Sequence, residues 1–314
     1  MSHEAQHDGT AEASPGRASS ATRDFLWSLP QPLAVIGAML LVATAISTGW
    51  TDPDRLTTIV LLSPLPLVLL AERLAPKRQD WVLDWRELAE DAFWVLGVYL
   101  VWTPIYADYY ETPISEAFVW LRDASAFPFR LEAETTLGLM LMAMIGIMLS
   151  EFIYYWLHRL QHRVMFFWRM HATHHHVTKM GAARSDRTHP LEFLALTLGP
   201  AIVLAFLGAS DDVVAVALAF RLTSAYLNHA NLPLVSGAWG WLFTTAQWHQ
   251  LHHSCDMAES NRNYGCSVIL WDRLFGTFSD STELERVGNG RGVPLSIYTQ
   301  LTMPFRSDET LRGL

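Results

Sequence analysis

The chain has 314 residues, of which 51% are hydrophobic and 17% are charged, and its mean hydropathy is positive at +0.17. This composition is too apolar and too poor in charge for a typical soluble protein, and it indicates one membrane-embedded unit, not two soluble domains. The formal net charge of −9 and the lack of any nucleic-acid motif argue against a nucleic-acid partner.

Residues 1–24 are rich in Ser, Ala, Gly and charged side chains and contain no apolar core. They predict a disordered N-terminal tail and not a signal peptide, because a signal peptide needs a continuous apolar region. His3 and His7 lie in this tail and are expected to be solvated.

The segment 25–157 is predicted to form the transmembrane helices. Its apolar stretches cover about residues 33–50, 57–71, 91–106 and 135–157. Pro64 and Pro66 interrupt the second stretch, so that helix is expected to be bent or only half inserted. A short hairpin over about 191–227, divided by the turn-like sequence GASDD, is expected to be embedded in the membrane as well.

Lys and Arg are concentrated in the segments that flank alternate spans. These basic residues are Arg17, Arg23, Arg73, Lys77, Arg78, Arg159, Arg163, Arg169, Lys179, Arg184 and Arg187. The loop near 107–134 carries mainly acidic charges instead. The positive-inside rule therefore places both termini and every histidine from His158 onward in the cytoplasm, in the inner membrane of a bacterium.

The histidines are the most specific feature, because all 13 except His3 and His7 lie at or after residue 158. Three groups have the sequences HRLQH, HATHHH and HQLHH. On a helix, residues i, i+3 and i+4 share a face, so each group can aim two or three imidazole nitrogens in one direction. Eight histidines from these groups are too many for one transition-metal ion and suit two.

The predicted fold is an all-α integral membrane protein with about four transmembrane helices, the short membrane-embedded hairpin and a cytoplasmic helical cap. The cap belongs to a region over 158–280 that carries a histidine-cluster dimetal site. Residues 281–314 form a C-terminal extension.

Imidazole ligands favour zinc, iron, copper or nickel, whereas magnesium and calcium require carboxylates that the three groups lack. Cys255 and Cys266 match no common zinc spacing and are expected to be packed, inert thiols. The His-Glu-x-x-His motif of many zinc hydrolases is absent.

Six motifs in this order resemble the fatty acid hydroxylase superfamily, which includes sterol desaturases and alkylglycerol monooxygenase. They are YYWLHRLQHR, FWRMHATHHH, RTHPLE, NHAN, QWHQLHHS and NYGCSVILWDRLFGTF. The motifs lie between about residues 150 and 280, and the N-terminal half resembles the family only in its apolar spans.

The resemblance implies a non-haem diiron centre that uses O2 to hydroxylate or desaturate a sterol, fatty acyl or carotenoid-like lipid taken from the bilayer. The metal ligands that it implies are His158, His162, His171, His174, His175, His229, His249, His252 and His253. His176, His189 and Glu192 are expected to surround these ligands or to face the substrate, and for His189 direct ligation stays equally open.

Ligating histidines usually donate their second N–H to a carboxylate or a carbonyl. The candidate carboxylates are Glu151, Glu192, Asp256 and Asp272, and for each of them a capping or surface role is an equally good interpretation. Asp272 is expected to belong to a helix end that is stopped by Gly276.

The two electrons must come from elsewhere, because the chain has no GxGxxG motif after a strand and no cysteine set for an iron–sulfur cluster. The resemblance implies two Fe ions and a separate donor, such as a ferredoxin or a cytochrome with its reductase. Zinc can replace iron in purified protein because of its availability and the Irving–Williams order.

Two functions of other classes remain open from the sequence. A bis-histidine haem electron carrier would clamp haem between spans, but it has no use for adjacent histidine doublets. A metal-binding membrane transporter or storage protein should carry charged residues inside its spans, and the predicted spans carry very few.

Overall fold

The structure is a computed structural model that describes residues 15–52, 63–281, 284–288 and 292–312, together with Arg55 and Ile59. Regular structure within these ranges is helical, apart from one isolated bridge between Ser254 and Val287. The predicted all-α class is therefore confirmed.

The first half of the chain forms long apolar helices. They are α1 (Pro15–Ser28), α2 (Pro30–Ser47), α3 (Pro64–Leu74), α4 (Trp85–Gly97), α5 (Thr103–Tyr106), α6 (Thr112–Ala124) and α7 (Thr136–Arg163). Two π-helical turns, Val98–Trp102 and Ala107–Glu111, join α4, α5 and α6 into one helical run. Within the described ranges, Ser20–Ser47, Trp85–Ala124 and Thr136–Arg163 are long and apolar enough to cross a membrane.

The remaining predicted stretch, 57–71, lies partly outside the described residues. Its described part belongs to α3, an 11-residue helix with Pro64 at its first position. Proline suits this position because its ring presets the backbone angle and the first helical N–H needs no partner within the helix. The interruption expected at the prolines is therefore a helix start.

The predicted tail, 1–24, is helical where the structure describes it, because α1 begins at Pro15. Residues 1–14 lie outside the described residues. The N–H of Leu33 donates to the carbonyl of Leu29 at the junction of α1 and α2, so the membrane helix extends outward with one local break. Extending an existing helix costs far less than starting one, which explains helix in a segment of weak apolar character.

The helices meet the histidine region at one end of the bundle. At the start of α2, Gln31 Nε2 donates to Asn228 Oδ1 over 2.7 Å. After α3, the backbone N–H of Lys77 donates to the carbonyl of Asn231 over 2.9 Å. The starts of α2 and α4, the end of α3 and the end of α7 thus lie on the same side of the bundle, which we call the metal end.

The opposite end is joined by a different set of contacts. Ser47 at the end of α2 is hydrogen-bonded to Thr136 at the start of α7, with 2.7 Å between their hydroxyl oxygens. The backbone N–H of Leu131 donates to the carbonyl of Leu207 over 2.9 Å. The chain therefore passes four times between the two ends before it reaches the histidines.

The second half of the chain consists mainly of shorter helices. They are α8 (Met165–His175), α9 (Phe193–Leu196), α10 (Leu198–Phe206), α11 (Asp211–His229), α12 (Ala246–His252), α13 (Met257–Ser260), α14 (Leu270–Leu274), α15 (Ile297–Thr302) and α16 (Asp308–Arg312). Short 3₁₀ turns lie at Gln79–Trp81, Ala182–Asp186, Pro190–Glu192, Trp239–Trp241 and Met303–Phe305.

The predicted hairpin is formed by α10 and α11, which meet at the positive-φ residue Gly208. α11 packs against both α2 and α7, and its inner face is rich in alanine, which lets these helices approach closely. α10 approaches α7 even more closely, because a Cβ atom on Gly199 would lie 2.7 Å from the backbone oxygen of Ser150. The hairpin is therefore a central part of the bundle.

The C-terminal segment 284–312 lies along the metal end. The N–H of Gly288 donates to the carbonyl of His253 over 2.9 Å. The guanidinium of Arg169 on α8 donates to the carbonyl of Pro304 over 3.2 Å. The extension thus covers helices that carry histidines, a position that its sequence does not reveal.

Replacing Gly199 with Ala is expected to destabilise the protein by about 1–3 kcal/mol, because the added methyl group forces α10 away from α7. Gly37→Ala is the matched control, since a Cβ atom on Gly37 would meet no atom within 4 Å. Thermal unfolding in detergent measures both variants. Equal melting temperatures for the two would contradict the close helix contact.

Candidate metal centre

Four helices carry the clustered histidines to the metal end. α7 contributes His158 and His162, which are four residues apart and share a helix face. α8 ends in the HATHH sequence, α11 ends at His229, and α12 carries the first two histidines of the third group. Because these helices converge, residues nearly 100 positions apart in the sequence become neighbours.

The nine histidines expected as ligands fall into two buried groups. Group A is His158, His162, His171, His175 and His252, and group B is His174, His229, His249 and His253. Within each group, one candidate ligand atom from every residue lies within 4.8 Å of all the others. Each group is thus compact enough to hold one metal ion.

The Nε2 atoms have the spacing of ligands that share an ion. In group A, the Nε2 atom of His158 lies 2.9 Å from that of His171 and 3.1 Å from that of His252. In group B the distances are 3.2, 3.0 and 3.2 Å for the pairs His174–His229, His229–His249 and His249–His253. Adjacent ligands about 2.1 Å from one ion are separated by about 3.0–3.4 Å, so the spacing fits.

The positions of the ring protons indicate that a positive charge belongs between the Nε2 atoms. The carbonyl of Tyr264 lies 2.5 Å from His158 Nδ1, and the carbonyl of Arg262 lies 2.7 Å from His252 Nδ1. A carbonyl oxygen can only accept, so both Nδ1 atoms carry the proton and both Nε2 atoms present lone pairs. These lone pairs face each other over 3.1 Å, where only a bound cation makes the arrangement favourable.

Burial keeps these imidazoles neutral. It lowers the pKa of each histidine on α8 and α12, and mutual repulsion between the rings lowers it further. This holds for His171, His174, His175, His249, His252 and, just after α12, His253. Neutral imidazole is the form that binds metal, so the site loses little free energy to proton competition.

Glu192 is the carboxylate that contacts a candidate ligand. Its Oε1 lies 2.5 Å from His171 Nδ1, and both side chains are buried. A carboxylate in this position fixes the ring orientation and the tautomer, and it makes Nε2 a stronger donor to metal. The structure thus places Glu192 in the outer layer that the sequence proposed for it.

Asp272 acts one step further from the histidines. Its oxygens accept from the backbone N–H groups of Tyr264 and Gly265, at 2.8 and 2.7 Å. It thereby holds the loop whose carbonyl binds His158, and burial raises the pKa of Asp272 to about 6. Its role is therefore more than that of a helix end before Gly276.

The other two candidate carboxylates do not contact the histidines. Glu151 is buried and accepts from the backbone N–H of Ser267 over 2.9 Å. Asp256 accepts from the N–H of Ala258 and caps α13. For these two residues the capping or packing interpretation describes their contacts.

His176 and His189 lie outside both groups. His176 is buried and not at the surface, with its Nε2 3.2 Å from the carbonyl of Val293. His189 uses both nitrogens: Nδ1 accepts from the N–H of Leu191, and Nε2 lies 3.1 Å from the carbonyl of Leu301. Both residues therefore contact the C-terminal segment, and for His189 this geometry favours an outer role over direct ligation.

The carbonyls of Tyr264 and Arg262 are the site groups that sequence reasoning missed. All residues carry the same backbone carbonyl, so the residue type does not reveal which carbonyl accepts a histidine N–H. The only available signal was the position of the motif NYGCSVILWDRLFGTF directly after the third histidine group.

The distances between the Nε2 atoms also argue against the haem alternative. Axial ligands of one haem iron lie on opposite sides of it, about 4 Å apart, with the porphyrin plane between them. Nε2 atoms at 2.9–3.2 Å leave no room for such a plane. The geometry of groups A and B fits ions held directly by imidazole.

Comparison with known proteins agrees with the site. Residues 143–277 match the family model described as Fatty acid hydroxylase. The chain is 28% identical to Ornithine lipid hydroxylase OlsE of Rhizobium tropici over 301 residues, which cover 93% of this chain and 86% of that protein. No solved structure gives a significant match.

Alkylglycerol monooxygenases match a smaller part of the chain. The protein from Homo sapiens is 28% identical over 155 residues and that from Xenopus tropicalis is 31% identical over 150 residues. These alignments cover 49% and 47% of this chain but only 34% and 32% of the two monooxygenases.

The matched region contains all nine histidines of groups A and B, and it coincides with the six motifs. Residues 143–277 therefore form a domain of the fatty acid hydroxylase superfamily, as the motifs indicated. The chain is an oxidoreductase of that superfamily. Its apolar helices make it a membrane protein.

Replacing Glu192 with Gln is expected to weaken metal binding by group A about 10- to 100-fold, because His171 loses the carboxylate that orients it. Metal titration followed by elemental analysis measures the change. Glu90→Gln is the control, since Glu90 is half-buried, pairs with Arg187 and belongs to neither histidine group. Equal metal affinity in Glu192→Gln and the unmodified protein would refute this role.

Proposed function

We propose that the protein is a membrane-bound non-haem diiron oxygenase that hydroxylates or desaturates a lipid with O2 and an external electron donor. The observation that carries the proposal is the pair of buried groups, A and B, whose Nε2 lone pairs converge at the metal end of an apolar helix bundle. Membership in the fatty acid hydroxylase superfamily supports iron as the metal.

A lipid such as ornithine lipid is the substrate that the comparisons favour. Ornithine lipid hydroxylase OlsE matches this chain over nearly its whole length, including the membrane helices. The alkylglycerol monooxygenases match about half of it. Substrate recognition depends on the helices around the metals as well as on the ligands, so the match that includes them carries more weight.

Groups A and B would each hold one iron ion. When bound, the iron pair supplies the activation of O2 and the oxidation of an unreactive C–H bond. The chain's own contribution is to orient imidazoles: the Tyr264 and Arg262 carbonyls and the Glu192 carboxylate hold Nδ1 protons, so the rings of His158, His252 and His171 keep their orientation. The apolar bundle also keeps bulk water away from the reacting carbon.

The electrons would come from a separate protein. We expect a ferredoxin or a cytochrome with its reductase, because the sequence has no flavin or nicotinamide motif and no cluster-binding cysteines. The donor would approach the metal end from the cytoplasm of a bacterium, where the basic residues place this end.

The first test is metal content. Iron-loaded protein is expected to contain two metal ions per chain, and His174→Ala or His252→Ala to lose metal and lipid oxidation together, since each removes a donor from one group. His176→Ala should keep its metal and remain within about tenfold of full activity. Elemental analysis that gives one ion per chain, or metal loss only in His176→Ala, would contradict the paired site.

The type of reaction can be determined by analysing the lipids of cells that express the protein. Cells that express the protein are expected to contain one lipid class heavier by one oxygen atom, or lighter by two hydrogen atoms, than the same lipid in cells that express His252→Ala. Mass spectrometry of total lipids separates hydroxylation from desaturation. Identical lipid profiles under aerobic growth with a competent donor would count against an oxygenase.

The orientation is open to cysteine labelling. A single cysteine near Glu116 is expected to react with a membrane-impermeant reagent added to intact cells, because α6 approaches the bundle end opposite the metals. A cysteine near position 160 should react only after the membrane is opened. The reverse labelling pattern would show that the metal end does not face the cytoplasm.

A further inference from the structure

The segment 179–187 carries three cations, and each of them pairs with an acidic residue of α4. The ion pairs are Lys179–Glu87 at 2.8 Å, Arg184–Glu87 at 3.3 Å, Arg184–Asp91 at 3.4 Å, Arg187–Glu90 at 3.3 Å and Arg187–Asp91 at 2.5 Å. These pairs attach the segment to the membrane helix. They also use every Lys and Arg that the segment contains.

Asp186 lies among these cations in the sequence but pairs with none of them. In the described part of the chain, no Lys or Arg nitrogen lies within ion-pair distance of its carboxylate. Its Oδ2 accepts from the hydroxyl of Tyr226 over 3.1 Å, and that hydroxyl lies 2.5 Å from the hydroxyl of Tyr99. The result is a carboxylate beside two phenol oxygens without a positive partner.

Such a carboxylate is costly to keep inside a protein. Asp and Glu are rarely buried without a partner, because the charged form loses its hydration. Burial raises the pKa of Asp186 to about 7, and Tyr226 offsets only part of that effect. The Asp186 residue as a whole is half-buried. A cation bound at its carboxylate would remove the cost of burying the charge.

The carboxylate is close to group B. Tyr226 precedes His229 by one turn on α11, and the backbone carbonyl of Arg187 faces the ring of His174. Two ligands of group B therefore flank the chain at Asp186. A group held by this carboxylate would therefore lie on the side of the site that faces group B.

The carboxylate is also next to the membrane. Tyr99 belongs to the π-helical turn Val98–Trp102 inside the span Trp85–Ala124, most of which is exposed. π-Helical turns are rare and occur often at functional sites. Asp186 thus lies between a lipid-facing helix and group B, at the end of the bundle where headgroups are located.

We propose that Asp186, with the hydroxyls of Tyr99 and Tyr226, binds the ammonium group of a lipid headgroup. An ammonium group has three donors, which match one carboxylate and two phenol oxygens. The protein would then act on lipids that carry an amine and reject lipids that lack one. This inference rests on the proposed function for the reaction, and it adds the chemical class of the substrate; ornithine lipid belongs to that class.

The test compares two lipids that differ in their side-chain amine, which is charged in one and blocked in the other. A short-chain ornithine lipid and the same lipid acetylated on its free side-chain amine are titrated, without oxygen, into the full-length, metal-loaded protein in detergent. The unmodified protein is expected to bind the amine form roughly 10- to 100-fold more tightly, as expected for hydrogen bonds to a buried charge. Asp186→Asn should bind both forms equally with unchanged metal content.

A second test variant and a control variant complete the experiment. Tyr99→Phe removes one acceptor and should reduce the preference about fivefold, which keeps the inference testable if Asp186→Asn folds poorly. Asp108→Asn is the matched control, because Asp108 is exposed and should leave the preference unchanged. A preference that survives in both Asp186→Asn and Tyr99→Phe, or that is absent from the unmodified protein, would overturn the subsite.

Failure of the subsite and failure of the proposed function give different results. If the unmodified protein oxidises both lipids at equal kcat/KM, the oxygenase stands and the ammonium subsite is wrong. If the amine form binds selectively through Asp186 but no lipid is oxidised with any donor, the subsite stands and the oxygenase assignment is wrong.

Discussion

The repulsion between facing imidazole lone pairs is the interaction on which the rest of the structure depends. Nine buried rings are packed so that their ligand nitrogens approach one another. With the Nδ1 atoms of His158 and His252 already protonated, a proton on Nε2 would require a charged imidazolium, which burial disfavours. Only cations between the rings make this arrangement stable. Folding and metal binding are therefore linked, and part of the free energy of metal binding is needed to hold four helices together.

A second layer of contacts fixes the orientation of individual rings. Glu192 holds His171, and Asp272 holds the loop that holds His158. Neither carboxylate has to touch a metal ion to affect it, because the position of each ring depends on what its far nitrogen contacts. The asymmetry between the five residues of group A and the four of group B would also give an ion in each group different surroundings.

The sequence predicted the parts of the protein that depend on local spacing. The apolar runs predicted the spans, and the i, i+3 and i+4 spacing predicted that each histidine group shares a face. The resemblance of the motifs distinguished His174 and His252 from His176, which the structure leaves outside both groups. Division into groups A and B could not be predicted, because it depends on how α7, α8, α11 and α12 cross. The same is true of the carbonyl of Tyr264 and of the contact between Asp186 and Tyr226, which join residues far apart in the chain.

The position of the C-terminal segment has a consequence for how the protein matures. Residues 284–312 contact α8 and the end of the third histidine group, yet the ribosome makes them after every histidine. During synthesis, therefore, all nine histidines are made before the segment that covers them. A metal ion that reaches the site in that interval would not have to pass this segment. The order of residues in the chain thus allows metal binding to precede the covering of the site.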